Sequence, residues 1–468
     1  MVVLLSSSRG YGYHRDELYF LRAGQHLAWG YPDQPPLTPL LARVMDELAP
    51  GSLLALRLPS ALAVGTLIVL TALIARELGG GRGAQLLAAS CSAVGSVFVI
   101  TGHLLSTTTF DLLAWTALTL LLVKVLAGGD QRLWLAVGAV AGVGLLNKQL
   151  VAFLLLGVLA GVLLAGPRDV LRSPWAWTGA VLALALWSPH LVWQAHAGWP
   201  ALEVASSVAG GGSVSSEPPA LFLPFQLVLV SPFLVPVWGA GLVVLWREPR
   251  LRSLALAYPV LALVFLLTGG KPYYLAGLYP LLLAAGASPA VRWLQRGLRR
   301  TPLLVGALVL SAAASAVLGL PVLPADRLGG SPVVALNEDA AETVGWPRLV
   351  ATVAEAHEQA GSRAVLLTEN YGEAGAIDRY GPAHGLPRAH SGHNGYADWG
   401  PPPEQDLPVV AVGFPAAELA GWFGDCQLAA VLDNGLDVDN EEQGQPVHLC
   451  TQRRSAWSLL WPDIRRLG

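Results

Sequence analysis

Charge is what this sequence has least of. Aspartate, glutamate, lysine and arginine make up 13% of its 468 residues, against 53% hydrophobic residues, where soluble domains carry about 25% charged residues. That shortage excludes an ordinary soluble globule and leaves an integral membrane protein. A net charge of −3 excludes a nucleic-acid partner, whose footprint would be a basic patch or stripe. Cysteine is also scarce. Of the three present, Cys91 lies in an apolar run, whereas Cys426 and Cys450 lie in a polar tail without the spacing of a zinc site. No cofactor is called for. A divalent metal is compatible with the sequence but not indicated by it, because His103, His190 and His196 are scattered and His390 and His393 lack further ligands nearby.

What the chain does have is apolar runs of the roughly 17–25 residues that cross a ~30 Å hydrocarbon layer as a helix. They cover 54–76, 83–103, 109–127, 176–193, 223–246, 272–289 and 302–320. Residues 133–166, apolar except for Asn147 and Lys148, read as two short helices joined near a membrane surface, and 254–269 as a further short span. About ten crossings follow.

The polar joints set the orientation, because lysine and arginine accumulate on the cytoplasmic side. Every second joint is basic: Arg76 and Arg82, Lys124 and Arg132, Arg168 and Arg172, Arg247 to Arg252, and Arg292 to Arg300. The alternate joints, 103–109, 194–222 and 269–272, hold little basic charge apart from Lys271, so they face outside. The same alternation places 9–50 and everything after 321 outside. "MVVLLSSS" is too short for a spanning helix or a signal peptide, so a first membrane helix upstream of the given start is expected. The stretch "ASSVAGGGSVSSEPP" in the joint 194–222 has the composition of a flexible segment.

Residues 11–44, "YGYHRDELYFLRAGQHLAWGYPDQPPLTPLLARV", are unusually polar for this chain. Leu18, Phe20 and Leu21 against Arg15, Arg22 and Gln25 give "DELYFLRAGQHLAW" the pattern of an amphipathic helix lying in the membrane interface. Asp16 and Glu17 stand in its first turn, where the helix dipole favours ionised carboxylates. Adjacent helical residues point about 100° apart. One of the two is therefore expected to act as a general base while the other is paired. Two readings stand for Asp111: a second acidic site residue, or a helix N-terminal charge behind Thr107, Thr108 and Thr109. Two also stand for Lys271 with Tyr273 and Tyr274: an anion-binding set, or a snorkelling lysine beside an aromatic belt.

From about residue 322 the composition turns to that of a soluble protein. "RLVATVAEAHEQAG" and "AAELAGWFG" read as helices, and "RAVLLTEN" and "PVVAVGF" as strands, which makes a small α/β domain. "HSGHNGYADWGPPP" reads as a loop. Cys426 and Cys450 fall in two further strand-like segments; if those strands are neighbours, about 4.8 Å apart, a disulfide between them is within reach.

"RDELYFLRAGQHLAWGYPDQPPL", "TTTFDLLAW", "GGKPYYLAGLYP" and "NYGEAGAIDRYG" together resemble bacterial glycosyltransferase family 39, the relatives of protein O-mannosyltransferases and aminoarabinose transferases. The resemblance runs over nearly the whole chain. It implies a GT-C fold: a polytopic α-helical membrane protein with a transmembrane transferase domain over 1–321, an extracytoplasmic first loop over 9–50, and a small extracytoplasmic α/β domain over 322–468. It also implies a sugar donor carried on a polyprenyl phosphate, and inverting transfer to a lipid, protein or glycan acceptor outside the membrane. Asp16, with Glu17 beside it, would stand near the acceptor hydroxyl, and Asp111 would be the second acidic residue. Asp33 and Gln34 are candidates for substrate contact. Gln34 stands where many relatives have lysine, so a phosphate contact does not carry over to it. The lipid phosphate leaving group needs cationic stabilisation rather than an acid, which assigns it to Lys271, Tyr273 and Tyr274. The alternative is a polytopic transporter of a lipid or sugar, which an internal repeat would mark; no convincing repeat is present.

Overall fold

The computed structural model describes residues 1–210, 218–405 and 407–468. The glycine- and serine-rich stretch read as flexible lies partly in 211–217, outside the described residues.

Every apolar run is helical. Leu53–Glu77, Thr107–Leu126, Pro272–Leu294 and Arg300–Gly319 are each long and apolar enough to cross a membrane. Two other runs are broken: Arg82–Ala93 and Ser96–His103 meet at 58°, and Pro219–Val228 and Pro232–Arg247 at 71°. If each bent pair is one span, six helices pass that test; Leu133–Leu145, Leu150–Ala165 and Arg252–Leu267 are apolar but shorter. Pro174–His196 completes the bundle.

The two breaks face each other and satisfy each other's backbone. The Ser96 N–H donates to the Val230 carbonyl at 2.8 Å and the Val97 N–H to that of Leu229 at 3.1 Å. Ser315 hydroxyl caps the Val94 carbonyl at 2.7 Å, and Ser231 and Ser311 hydroxyls meet at 2.6 Å. Non-helical backbone inside a bilayer is tolerated only where protein supplies such partners. Helix contacts elsewhere depend on small residues. A side chain on Gly241 or Gly286 would collide with the Leu282 or Val237 carbonyl, so Val235–Arg247 and Tyr279–Leu294 run almost backbone to backbone. Basic joints gather at one end of the bundle, where Lys124 lies 3.5 Å from Glu77 and Arg250 lies against Gly128.

The C-terminal part is an α/β unit. Strands β1 (Val365–Thr368), β2 (Ala389–Ser391), β3 (Val409–Val412), β4 (Phe423–Val431) and β5 (Pro446–Arg453) form one sheet in the order β2-β1-β3-β5-β4. β1 is parallel to β2 and β3, and β5 is antiparallel to β3 and β4. Side chains alternate across the sheet. Leu366, Val410 and Val412 pack with helices Trp346–Ala360 and Tyr371–Tyr380, whereas Leu367, Val409 and Ala411 pack with Ala416–Trp422 and Trp457–Ile464. Cys426 stands directly opposite Cys450 in the β4/β5 register, and the two form a disulfide.

Two expectations are corrected. The segment 390–403 is not all loop, since it contains the end of β2 and a helical turn, Gly395–Asp398. The first-loop helix, Arg15–Gln25, turns its apolar face to protein rather than to lipid. Leu18, Tyr19 and Phe20 are buried in one core with Trp346, Ile377 and Val410 of the α/β unit. Its arginines are drawn the same way, Arg22 to Asp378 at 3.1 Å and Arg15 to Glu441 and Glu342. Apolar side chains covered by protein in this way are not available to a lipid layer.

Candidate active site

The Asp16–Glu17 pair divides as helix geometry requires. Glu17 turns inward. Its oxygens accept from Arg57 Nε and Nη2, both at 2.8 Å, and from the Leu105 and His14 N–H groups, both at 2.9 Å. Burial alone would raise the Glu17 carboxyl, but Arg57 and these donors hold it below the usual carboxylate range. With four donors on two buried oxygens, Glu17 pins the first loop to helix Leu53–Glu77. The sequence had ranked it beside Asp16 as a catalytic candidate.

Asp16 turns the other way and stays partly exposed. Tyr371 hydroxyl donates to its Oδ1 at 2.9 Å. The charge of Asp16 reaches His14, Asp33, Lys148 and Lys271. Its helix comes close to the α/β unit because helix Tyr371–Tyr380 presents glycines on that face: a Cβ on Gly375 would meet Leu18 at 2.8 Å.

Asp33 and Gln34 follow in a tight turn closed by the Tyr31 N–H on the Gln34 carbonyl at 2.8 Å. Tyr19 hydroxyl donates to Asp33 Oδ1 at 2.8 Å. Burial pushes the Asp33 carboxyl up to about 7, with the Asp16 and Asp398 charges adding and the Tyr19 bond opposing. The Gln34 side chain is 4% exposed, and neither its amide nitrogen nor its oxygen has a partner. This loop is docked on the joint between Leu133–Leu145 and Leu150–Ala165. The Leu37 N–H donates to the Leu146 carbonyl at 3.0 Å, and Thr38 hydroxyl to Asn147 Oδ1 at 2.8 Å.

That joint carries a residue the sequence reading passed over. Lys148 donates to Thr108 Oγ1 at 2.9 Å and faces the rings of Tyr273 and Tyr274 at 5.3 and 5.9 Å. Asp111 and Asp16 are the carboxylates that act on its ammonium. A signal was present: Lys148 is the single charge in an otherwise apolar stretch, and an ionisable residue in such a place marks a functional site by default.

Asp111 is buried one turn into helix Thr107–Leu126, where Trp115 Nε1 donates to its Oδ1 at 3.1 Å. It faces Lys148 and so belongs to the cluster rather than merely to the helix terminus. Lys271 precedes the 3₁₀ turn Pro272–Leu278, which Gln226 fastens by donating to the Pro272 carbonyl at 2.8 Å. Burial and the nearby Lys148 charge lower the Lys271 ammonium to about 8, with Asp16, Asp339 and Glu338 restoring part of it. The structure thus brings Asp16, Asp33, Asp111, Lys148, Lys271, Tyr273 and Tyr274 to one end of the bundle, under the α/β unit. Among the described residues, no group of three or more His, Cys, Asp or Glu side chains is placed to hold a metal ion.

Known proteins share this architecture. Residues 33–193, about a third of the chain, match the family model described as dolichyl-phosphate-mannose-protein mannosyltransferase. No curated protein sequence matches the chain. ArnT from Cupriavidus metallidurans in its apo state superposes with a TM-score of 0.61 at 15% identity, over 96% of this chain and 95% of that one. The same protein bound to undecaprenyl phosphate gives 0.61 at 16% identity, over 96% of both chains. An oligosaccharyltransferase from Archaeoglobus fulgidus, tethered to an acceptor peptide, gives 0.50 at 13% identity, over 81% of this chain and 60% of that one. The chain therefore has the fold of these proteins, the polytopic helical GT-C architecture with a small C-terminal sheet domain that the motifs implied.

Proposed function

We propose that this protein is an integral membrane glycosyltransferase that moves a sugar from a polyprenyl-phosphate donor to an acceptor hydroxyl outside the membrane. The observation that carries this reading is the cluster at one end of the apolar bundle, where Lys148 bonds Thr108 and faces the Tyr273 and Tyr274 rings, and where the charges of Asp16 and Lys271, from two other distant segments, act on it or feel it. The ArnT structure holding undecaprenyl phosphate supports the donor class. In this reading residues 1–321 form the transferase unit, and the first loop and residues 322–468 lie on the extracytoplasmic side, as the alternation of basic joints requires.

The chemistry follows from the placement. Asp16 takes the proton from the acceptor hydroxyl as that oxygen attacks the anomeric carbon from the face opposite the phosphate. The bond from the anomeric carbon to the phosphate oxygen breaks, its electron pair leaves with the phosphate, and the product has inverted configuration. Charge grows on the phosphate as the bond breaks. Lys148 and Lys271, with the Tyr273 and Tyr274 hydroxyls, stabilise it there. Asp33 accepts from sugar hydroxyls, the unpartnered amide of Gln34 donates to sugar or phosphate oxygens, and Asp111 holds Lys148 in place. The donor is a phosphodiester monoanion and the lipid phosphate departs as a monoester dianion, whose conjugate acid has a pKa of about 6. It is therefore a base weak enough to leave without a protonating acid or, in this scheme, a cofactor. The sugar is a hexose or a pentose, and the acceptor a lipid, protein or glycan hydroxyl.

The test uses purified protein in lipid nanodiscs, undecaprenyl-phosphate mannose, galactose and arabinose, and an envelope extract as acceptor. Acceptor-dependent release of undecaprenyl phosphate from one donor, abolished in Asp16→Asn, is expected. Failure to consume any of the three, or an Asp16→Asn variant as active as the wild type, would overturn the reading.

A further inference from the structure

We propose that Tyr371 of the α/β unit is a positioning residue for the base, holding Asp16 by one oxygen so that the other faces the acceptor hydroxyl. The inference rests on the transferase reading above. Tyr371 stands at the first position of helix Tyr371–Tyr380, whose start is fixed by a reciprocal cap between Asn370 and Glu373. Its hydroxyl reaches Asp16 Oδ1 across a separation of 355 residues. The ring is clamped by Tyr19 at 4.9 Å, by His393 at 4.8 Å and by the Arg15 guanidinium at 4.9 Å. A side chain held on several sides loses little freedom in keeping its hydroxyl aimed, which is what a supporting contact to a reacting group requires.

The neighbouring carboxylate is held in a parallel way. Tyr19 donates to Asp33, and the Tyr19 oxygen itself accepts the Gly395 N–H at 3.0 Å. Asp16 and Asp33 are thus both held by phenols whose positions depend on the α/β unit. Burial, with the Asp16 charge adding, raises the Tyr371 phenol well above its ordinary range, so it remains a donor at neutral pH. The donated hydrogen bond fixes the rotation of the carboxylate. Among the described residues, the other charged or titratable groups on which the Asp16 charge acts are His14, Asp33, Lys148, Lys271 and Tyr273. None of them is changed by removing the Tyr371 hydroxyl.

Tyr371→Phe keeps the ring against Tyr19, His393 and Arg15 and removes only the donor. With whichever of the three undecaprenyl-phosphate sugars the wild type consumes, kcat should fall about tenfold, the size expected for losing one charge-assisted hydrogen bond. KM for that donor should stay unchanged. In an Asp16→Asn background the same change should have no further effect. Should the Phe variant not accumulate, Tyr371→His, which keeps a ring and an N–H donor, is expected to retain more turnover than Tyr371→Leu. Wild-type kcat in Tyr371→Phe, or a raised KM at unchanged kcat, would overturn the inference while leaving the transferase reading intact. A fully active Asp16→Asn, or a wild type that consumes no donor, would overturn both.

Discussion

Glu17 and Arg57 meet as a two-pronged ion pair, 2.8 Å at each contact, with both side chains at most 1% exposed. The pair ties the first loop to a membrane helix, directly beside the residue assigned to chemistry. Glu17→Gln should therefore act on stability. Leaving Arg57 buried without its counter-charge should cost about 3–5 kcal/mol, read as a lower unfolding temperature in detergent. The depressed Glu17 carboxyl stabilises the fold above its unfolded value of about 4.3, and that contribution is lost as pH falls through the folded value. The variant should thus flatten the acid limb of stability against pH. Stability equal to that of the wild type across this range would exclude the structural role.

Asp16→Asn should show the opposite pattern. The amide keeps shape but removes the base, so turnover should drop by roughly 10² or more while undecaprenyl phosphate binding and the unfolding temperature stay close to wild type. If Glu17→Gln, once corrected for folded protein, loses turnover as deeply and Asp16→Asn does not, the two roles are exchanged.

Lys148→Met should weaken undecaprenyl phosphate binding about tenfold or more, since a hydrogen bond to a charged group contributes about 1.5–3 kcal/mol. Lys271 adds a pH dependence. Its ammonium loses charge above about 8, so affinity should fall as pH rises from about 7 to about 9. Lys271→Arg should abolish that fall, because guanidinium stays charged. Titration of tryptophan fluorescence with undecaprenyl phosphate reads both effects, and an affinity insensitive to both lysines would remove the phosphate assignment.

Orientation can be checked by labelling. Cys91 is buried and Cys426 and Cys450 are joined, so an added surface cysteine has a quiet background. Glu355→Cys should react with an impermeant maleimide in intact cells, and Arg250→Cys only after the membrane is opened. A Glu355→Cys variant that does not react in intact cells would refute the extracytoplasmic placement, and an Arg250→Cys variant that does would refute the alternation of the joints.

The disulfide closes a loop with a sequence separation of 24. In the chain-entropy model this stabilises the folded α/β unit by about 3 kcal/mol. Cys426→Ser with Cys450→Ser should lower its thermal stability accordingly. Free, alkylated thiols in wild-type protein prepared with a blocking agent would show that the bridge does not form in cells.

The membrane helices, the α/β character of the tail and its central strands were legible in the sequence, because each follows from local composition and periodicity: long apolar runs, and short β-branched segments between turn residues. The fourfold binding of Glu17, and therefore the choice between two adjacent carboxylates, was not. Residues 16 and 17 have nearly the same local chemistry, and only the positions of Arg57 and the Leu105 N–H, contributed from 40 and 88 residues away, separate them. The burial of helix Arg15–Gln25 beneath the sheet was hidden for a related reason, since an amphipathic pattern states that a partner exists but not whether it is lipid or protein. Lys148 was visible as a lone charge among apolar residues, but its meeting with Asp111, Tyr273 and Tyr274 is a product of helix packing. Local sequence sets which segments are apolar, helical or extended; which charges end up facing one another depends on how distant segments pack, and only the tertiary structure decided that.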